Sequence, residues 1–313
     1  MYHESVATPS LHGIVPALVT PFREDGCIDY GAWQAIIDAL IAAGVDGLFA
    51  AGSQGEFFSL DTEERRVVLR FSAQAVAGRV PLYGNVGCVT TRDTIELAQQ
   101  AEAEGVDVLV VITPYCIKPS PQELAGHYIE VCRAARFPVL GYNVPYHSGI
   151  DLAPETVAQI AAGCENFAGL VDCSGNLEWA AACRNSAPER SLAIFTGCDP
   201  LVLPAFEQGS VGAATPGANV APRLFVDLYA AFREGNREKA ARLQALADEL
   251  GLTLALHTFP AVVKEAMQMA GLPAGPCRKP VGPVPPEVRQ KVAGVLARLR
   301  GAGYLSNAAQ AVA

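Results

Sequence analysis

Hydrophobic and polar positions alternate between two spacings along this chain. Nearly continuous apolar runs such as residues 106–112 (VDVLVVI) are separated by longer stretches in which apolar residues recur every three or four positions, as from Trp33 to Ile41. A continuous apolar run is typical of a parallel strand covered on both faces, and the longer spacing is typical of an amphipathic helix. The pattern therefore predicts strands and helices in alternation.

Eight apolar runs of this kind precede residue 222. They comprise residues 13–20, 47–51, 80–86, 106–112, 139–143, 167–172, 192–196 and 212–215. The connections are short, and no GxGxxG dinucleotide-binding motif follows the first run. Eight such units favour an α/β fold of the closed (β/α)8 TIM-barrel type over an open doubly wound sheet.

The last third of the chain shows helical spacing only. Helices are predicted over residues 223–233, 237–250, 260–269 and 286–300, separated by glycine and proline. We therefore predict three parts, listed by position as an N-terminal arm (1–12), the barrel (13–221), and a C-terminal helical appendage packed on the barrel (222–313).

Composition narrows the classes of partner. Half of the residues are hydrophobic and the formal net charge is −9, so a nucleic-acid-binding face is not expected. The chain has neither a basic run that would hold an anionic membrane nor an apolar run of about 18 residues that would span one. We therefore expect a small-molecule partner, and an anionic one must be held by backbone N–H groups rather than by a basic field.

Cysteine usage and the N-terminal sequence bear on the compartment. The nine cysteines are an odd number without a CxxC pair, which is typical of reduced thiols. The first 13 residues have no basic and apolar segments of the signal-peptide type. We expect a cytoplasmic protein.

Candidate site residues lie where predicted strands end, because barrel enzymes place their active sites at the C-terminal ends of the strands. After the second run, Gly52 and Gly55 enclose Ser53 and Gln54, a loop whose N–H groups can point at a carboxylate, although an ordinary glycine turn fits equally well. Tyr142 ends the fifth run, where it can relay a proton or simply cap the core.

These segments together resemble the family of dihydrodipicolinate synthase and N-acetylneuraminate lyase, pyruvate-dependent aldolases and dehydratases that act through a lysine Schiff base. The resemblance covers nearly the whole chain and includes GIVPALVTPF, GSQGE, TPY, YNVP, GLVDCSGN, TGCD, GANVAP, VKEAMQMAGLP and RKP. The segment GEFFSL looks most like the sugar-acid branch, such as 5-dehydro-4-deoxyglucarate dehydratase. The resemblance implies a homotetramer that binds a small keto or sugar acid and needs no cofactor.

The resemblance assigns roles to individual residues near the keto acid. Tyr142 matches the proton-shuttling tyrosine of the family. Ser53 matches a hydroxyl residue that helps to hold the keto acid's carboxylate and passes protons. Gln54 stands where the family usually has threonine or serine, so the hydroxyl relay is incomplete. Gly197 and Ala214 match backbone positions near the bound keto acid. We also place Gly52 and Cys173, from the GSQGE and GLVDCSGN segments, among the substrate-binding residues.

Two further residues depart from the synthases. Cys116 replaces the second tyrosine of TPYY, which in the synthases reaches across a subunit interface. His147 stands where the synthases carry an arginine for the second substrate's carboxylate. This replacement argues against a role in lysine biosynthesis.

The central departure is Val171, which stands where the family has the Schiff-base lysine. An amine there condenses with the keto group, and the iminium accepts electrons when a C–C bond breaks. Valine has no lone pair and cannot do this. The chain has five lysines, of which Lys118 follows the fourth strand and the other four belong to the helical tail. The loop that carries Lys118 should point away from the barrel axis.

Three hypotheses follow from the missing amine. In the first, the protein remains a lyase that moves protons with Tyr142 and Ser53, assisted by His147. In the second, it is a non-catalytic homologue that binds a keto or sugar acid. In the third, it is a metal-assisted aldolase in which Cys116, His147, Cys173 and Cys198 converge. The spacing lacks HxH and CxxC motifs, so we assign no metal ligand.

Asp172 should point out of the barrel if Val171 points in.

Overall fold

The computed structural model describes residues 9–305 and contains a single sheet of eight parallel strands. The strands are β1 (Gly13–Ile14), β2 (Leu48–Ala50), β3 (Leu82–Asn85), β4 (Val108–Ile112), β5 (Val139–Asn143), β6 (Phe167–Asp172), β7 (Ala193–Thr196) and β8 (Gly212–Ala213). Their hydrogen-bonded order is β1-β8-β7-β6-β5-β4-β3-β2. An isolated parallel bridge between Ala17 and Phe49 joins the two ends. The predicted (β/α)8 TIM barrel is confirmed.

The first strand is much shorter than the predicted 13–20. After Ile14 the chain remains extended, but its pairing with β2 is limited to bonds around Phe49, whose N–H donates to the Pro16 carbonyl at 3.0 Å and whose carbonyl accepts from the Leu18 N–H at 2.8 Å. Pro16 and Pro21 have no N–H to offer a ladder. The apolar pattern reports burial here rather than regular pairing.

Helices fill the spaces between the strands. They are α1 (Tyr30–Ala42), α2 (Thr62–Val76), α3 (Thr91–Glu104), α4 (Pro121–Ala134), α5 (Pro145–Ser148), α6 (Pro154–Gly163), α7 (Leu177–Asn185), α8 (Val202–Glu207) and α9 (Gly217–Val220). Asp61 and Glu64 form a reciprocal capping box at the start of α2, as their spacing indicates. The short helix α5 follows β5 directly, with Val144 between them.

Four helices follow the barrel. They are α10 (Pro222–Arg233), α11 (Arg237–Leu254), α12 (Ala261–Met269) and α13 (Pro286–Gly301), each within a few residues of the predicted bounds. Helix α11 packs on α10 and on the short 3-10 helix Asp199–Leu201, so the tail lies against the C-terminal ends of the last strands. No helix within residues 9–305 is long and apolar enough to cross a membrane.

The barrel interior is filled by alternate residues of the strands. The buried side chains of this interior cluster are Val15, Ala17, Phe49, Phe57, Tyr83, Val108, Val110, Ile112, Leu140, Tyr142, Val144, Val171, Ala193, Phe195 and Ala214. Because side chains alternate along a strand, Val171 belongs to this set and Asp172 faces outward. Asp172 accepts hydrogen bonds from Asn143 Nδ2 at 3.0 Å and from Ser174 Oγ at 2.9 Å. The packed interior forms the base on which the candidate site stands.

Candidate functional site

A cavity of about 400 Å3 opens beyond the C-terminal ends of the strands. Its walls come from the end of β4, from the loops after β2, β4 and β5, and from the segments before and after α12. The lining residues are Ser53, Phe57, Phe58, Ile112, Tyr115, Cys116, Tyr146, His147, Ser148, Thr258, Phe259 and Val281. This volume lies within the range of roughly 300–1,000 Å3 that small-molecule sites occupy.

The loop after β2 offers unpaired donors beside the cavity. Ala51 and Glu56, at the two ends of the loop, both have a left-handed φ of 55°, a conformation that is uncommon outside glycine. Within residues 9–305, the backbone N–H groups of Ser53 and Gln54 donate to no acceptor. Successive free N–H groups in such a turn form a concave site for an anion. The loop can therefore receive a carboxylate.

A buried pair of hydroxyl groups lies at the floor of the cavity. Ser53 Oγ and Tyr142 Oη are 2.8 Å apart, and the side chain of Tyr142 is only 2 % exposed. The Phe49 ring packs edge-on against the Tyr142 ring, with 5.3 Å between centroids. Burial raises the pKa of Tyr142 well above its ordinary value, so the phenol stays protonated and can donate to a ligand oxygen. The structure thus brings together the two residues predicted to be catalytic.

Val171 lies directly beside Tyr142 in the barrel. The two residues are register partners of β6 and β5, and Val171 pairs on its other side with Phe195. The valine is 2 % exposed and packs in the interior cluster. The residue at this position therefore points toward the barrel axis, as the alternation along β6 predicts.

Cys173, Gly197 and Ala214 lie around the floor rather than on the cavity wall. Burial raises the pKa of Cys173 well above its ordinary value, and its thiol lies next to the Tyr142 hydroxyl. A Cβ atom on Gly197 would lie 2.1 Å from Cys173 Sγ, so the cysteine requires glycine there. Ala214 belongs to the interior cluster and donates its N–H to the Thr196 carbonyl at 2.7 Å. Of the predicted substrate-binding residues, His147 is the one that lines the cavity.

His147 and Cys116 are exposed at the rim of the cavity. The His147 ring lies against Phe259, with 4.2 Å between centroids, and this partial burial lowers the pKa of His147 below its ordinary value. A neutral imidazole at pH 7 does not replace the positive charge of an arginine. Cys116 has a left-handed φ of 69°.

Comparison with known proteins agrees with this architecture. The model of the dihydrodipicolinate synthetase family matches residues 10–299. The chain belongs to this family. A relative from Escherichia coli K12, the probable 2-dehydro-3-deoxy-D-pentonate aldolase YjhH, is 37% identical over 90% of this chain and 94% of its own. The 4-hydroxy-tetrahydrodipicolinate synthase of Archaeoglobus fulgidus is 36% identical over 92% of this chain and 98% of its own.

A solved structure of the family gives the same result. YagE, a prophage protein from Escherichia coli K12 crystallised with pyruvate, superposes with a TM-score of 0.89 at 33% identity, covering 92% of this chain and 98% of YagE. The recognition made from sequence motifs is therefore confirmed at the level of the family.

The four residues of the metal hypothesis do not assemble. Cys116 and His147 lie at the rim, whereas Cys173 is next to Tyr142 beneath the floor. Across the described chain, no three His, Cys, Asp or Glu side chains converge in a way that could hold a metal ion. The geometry does not support a metal-assisted aldolase.

The five lysines also lie away from the cavity lining. Lys118, Lys279 and Lys291 are exposed, and Lys239 is half-buried in α11. Lys264 in α12 is 1 % exposed, and burial lowers its pKa. No lysine of this chain takes the inward position that Val171 occupies.

Lys264 has a supporting role that sequence reasoning missed. Its Nζ lies 2.5 Å from Glu56 Oε1, and it donates to the Pro276 carbonyl at 2.8 Å. Arg278 adds its backbone N–H to Glu56 Oε2 at 3.0 Å. These contacts fix the end of the loop that carries Ser53. A carboxylate that is buried in a glycine-rich loop needs a cationic partner. Glu56 in the GSQGE segment was therefore the sequence feature that could have predicted one.

Proposed function

We propose that this member of the dihydrodipicolinate synthetase family binds a small 2-keto acid or sugar acid at the cavity floor and does not form a lysine Schiff base. The observation that carries the proposal is the buried pair of Ser53 and Tyr142 hydroxyls, 2.8 Å apart, beside two N–H groups that donate to no acceptor among residues 9–305. Val171 takes the place of the family's lysine in this proposal.

Binding of the acid is supported by the loop after β2. The N–H groups of Ser53 and Gln54 receive the carboxylate, and the protonated Tyr142 hydroxyl donates to the keto or hydroxyl oxygen. No side chain of Asp, Glu, Lys or Arg is among the cavity-lining residues. The acid is therefore held by backbone dipoles, as the chain's net charge of −9 suggests.

We favour residual or altered lyase chemistry over loss of catalysis. In aldol cleavage, the bonding electron pair moves toward the keto group and ends on its oxygen as an enolate. A hydrogen bond from Tyr142 Oη stabilises that oxygen, and Ser53 passes the proton that quenches the enolate. Neutral His147 at the rim accepts the proton of the hydroxyl group on the departing fragment. Dehydration uses the same groups, since the leaving hydroxyl must be protonated.

The alternative is a binding protein that has lost turnover. It is supported by Val171 itself, because without an amine the electrons of the breaking bond have no iminium to enter.

The name of YjhH, a pentonate aldolase, supports a sugar acid for this chain, as does the GEFFSL segment. We also propose a homotetramer, which the family resemblance implies, and a cytoplasmic location, which the unpaired cysteine pattern favours.

Borohydride trapping with pyruvate tests the proposal. We expect intact-mass spectrometry to show no adduct on the wild type, and a reduced pyruvate adduct on Val171→Lys. An adduct on the wild type would contradict the proposal that no lysine Schiff base forms. Peptide mapping would then identify the lysine that carries the adduct. Turnover of an acid that is abolished in Tyr142→Phe supports the lyase, whereas calorimetric binding without turnover supports the binder.

A further inference from the structure

The cavity has two chemically different ends. Its floor carries Ser53 and, beneath it, the Tyr142 hydroxyl. Its walls are dominated by aromatic rings, which are those of Phe57, Phe58, Tyr115, Tyr146, His147 and Phe259. A ligand that fills this space is polar at one end and flat and apolar at the other.

Five of these rings contact one another in the order Tyr115, Phe57, Phe58, Phe259 and His147 and form an aromatic wall. Phe57 meets Tyr115 edge-on, with 5.6 Å between centroids and 72° between planes. Phe58 meets Phe259 at 5.6 Å and 68°. Edge-to-face contacts of this kind are the favoured geometry between aromatic groups, so the wall offers both faces and edges to a further ring.

The walls carry no charge that would select a second carboxylate. None of the lining residues is Asp, Glu, Lys or Arg, and the lowered pKa of His147 keeps it neutral at pH 7. Arg65 lies near the Phe57 ring, 5.4 Å from its centroid, but is 4 % exposed and donates to the carbonyls of Asn85 and Gly87. A dianionic substrate would therefore find no cation here.

The polar groups of the walls lie at the rim or on aromatic side chains. Ser148 Oγ already donates within its own loop, lying 3.2 Å from the Val144 carbonyl and 3.0 Å from that of Ile150. Ser53 is engaged with Tyr142. The groups left for a ligand hydroxyl are Thr258 at the exposed rim, the hydroxyls of Tyr115 and Tyr146, and the His147 imidazole. Most of the lining surface is nevertheless apolar, so a chain with several hydroxyls would lose part of its hydration there, which disfavours binding.

We infer that this cavity holds an aryl group, or a group of similar flatness and apolarity, carried by a 2-keto acid. The acid end lies at Ser53 and the ring packs among Phe57, Phe58 and Phe259. The inference rests on the proposed function, and it narrows the keto-or-sugar-acid alternative to a keto acid with an aromatic substituent.

Isothermal titration calorimetry with four probes tests this assignment. The probes are pyruvate, phenylpyruvate, 3-phenylpropionate and 2-keto-3-deoxygluconate. We expect phenylpyruvate to bind about tenfold more tightly than pyruvate, and the sugar acid to bind no more tightly than pyruvate. We expect 3-phenylpropionate, which lacks the keto group, to bind more weakly than phenylpyruvate.

Two variants and a matched control locate the aromatic end. Phe58→Ser and Phe259→Leu should each reduce the ratio of phenylpyruvate to pyruvate affinity about three- to tenfold, leaving pyruvate affinity unchanged. Tyr30→Ser is the control, because Tyr30 is 41 % exposed, close to the 46 % of Phe58, and packs on Phe71 outside the cavity. It should change neither affinity.

The other outcomes separate the two proposals. Pyruvate binding without a preference for phenylpyruvate, or a preference for the sugar acid, overturns the aryl assignment and leaves the proposed function standing. Equal binding of phenylpyruvate and 3-phenylpropionate overturns keto-acid recognition and leaves the aryl site standing. If Phe58→Ser instead lowers the particle mass in light scattering, the rim is a surface between copies of the chain and the aryl assignment is wrong.

Discussion

Removing the positive charge of Lys264 should destabilise the protein more than removing any single exposed charge. The Lys264 and Glu56 side chains are 2 % and 0 % exposed, and their charged atoms are 2.5 Å apart. The Lys264 ammonium also lies 4.4 Å from the centroid of the Phe22 ring. In Lys264→Met, Glu56 keeps the Arg278 N–H but loses the cation that offsets its burial.

The magnitude follows from this geometry. Breaking a buried pair by removing one partner costs about 3–5 kcal/mol, because an uncompensated charge remains in the interior. Glu56→Gln should cost less, because the remaining lysine can lose its proton. Burial already lowers the pKa of Lys264, and Glu56 is the main group that opposes this shift. In the double variant Glu56→Gln/Lys264→Met the buried charges are gone, and part of the stability returns.

Urea unfolding, followed by tryptophan fluorescence and circular dichroism, measures these differences. Arg242→Met is the matched control, since Arg242 pairs with Glu238 one helical turn away at 2.7 Å with both side chains exposed. It should cost less than about 0.5 kcal/mol. A loss below about 1 kcal/mol in Lys264→Met, or a double variant less stable than both single ones, would refute the reasoning.

Two further outcomes follow from buried groups near the site. Burial raises the pKa of Asp199 to about 7 from 3.8, so the folded protein holds a proton that the unfolded chain has lost, and stability should fall as pH rises through this interval. Asp199→Asn should reduce the pH dependence of the free energy of unfolding by up to about 1.4 kcal/mol per pH unit. Urea unfolding of the variant and the wild type at pH 4 to 8 measures this difference. An unchanged pH dependence would contradict the raised pKa of Asp199. Gly197→Ala should cost about 1–3 kcal/mol through its clash with Cys173, and Cys173→Ala should relieve part of that loss, as read from melting temperatures; an equal loss in the double variant would show that the Asp172 carbonyl, 3.2 Å from the added Cβ, causes it.

The strands of the barrel were predictable where an apolar run is uninterrupted and ends at glycine or a polar residue. The bounds of β5 and β6 match the predicted 139–143 and 167–172. Residues 13–20 satisfy the same hydrophobic pattern but form a regular strand over Gly13–Ile14 only, with an isolated bridge from Ala17 to Phe49, because Pro16 has no N–H to donate to a ladder. The hydrophobic pattern indicates which residues are buried, whereas strand pairing also depends on which backbone N–H groups are present.

The candidate site was predictable at its floor and not at its walls. Ser53 and Tyr142 are 89 residues apart, but Ser53 lies in the loop after β2 and Tyr142 lies near the end of β5, so the barrel topology brings them to one edge. The aromatic wall comes from loops whose conformations no periodicity fixes, and Phe259 is contributed by the tail. The pairing of Glu56 with Lys264 likewise joins the barrel to α12, a contact that the spacing of neither motif reveals.

The position of this pair bears on our proposal that the site binds an acid with Val171 in place of the family's lysine. Val171 packs among the apolar side chains of the barrel interior at β6, whereas the loop that carries Ser53 is fixed at Glu56 by Lys264 and by the Arg278 N–H. The contacts that hold this loop at Glu56 are therefore separate from those of Val171. In the function that we propose, valine at this point supplies no electron acceptor, whereas the N–H groups of Ser53 and Gln54 remain to bind the carboxylate.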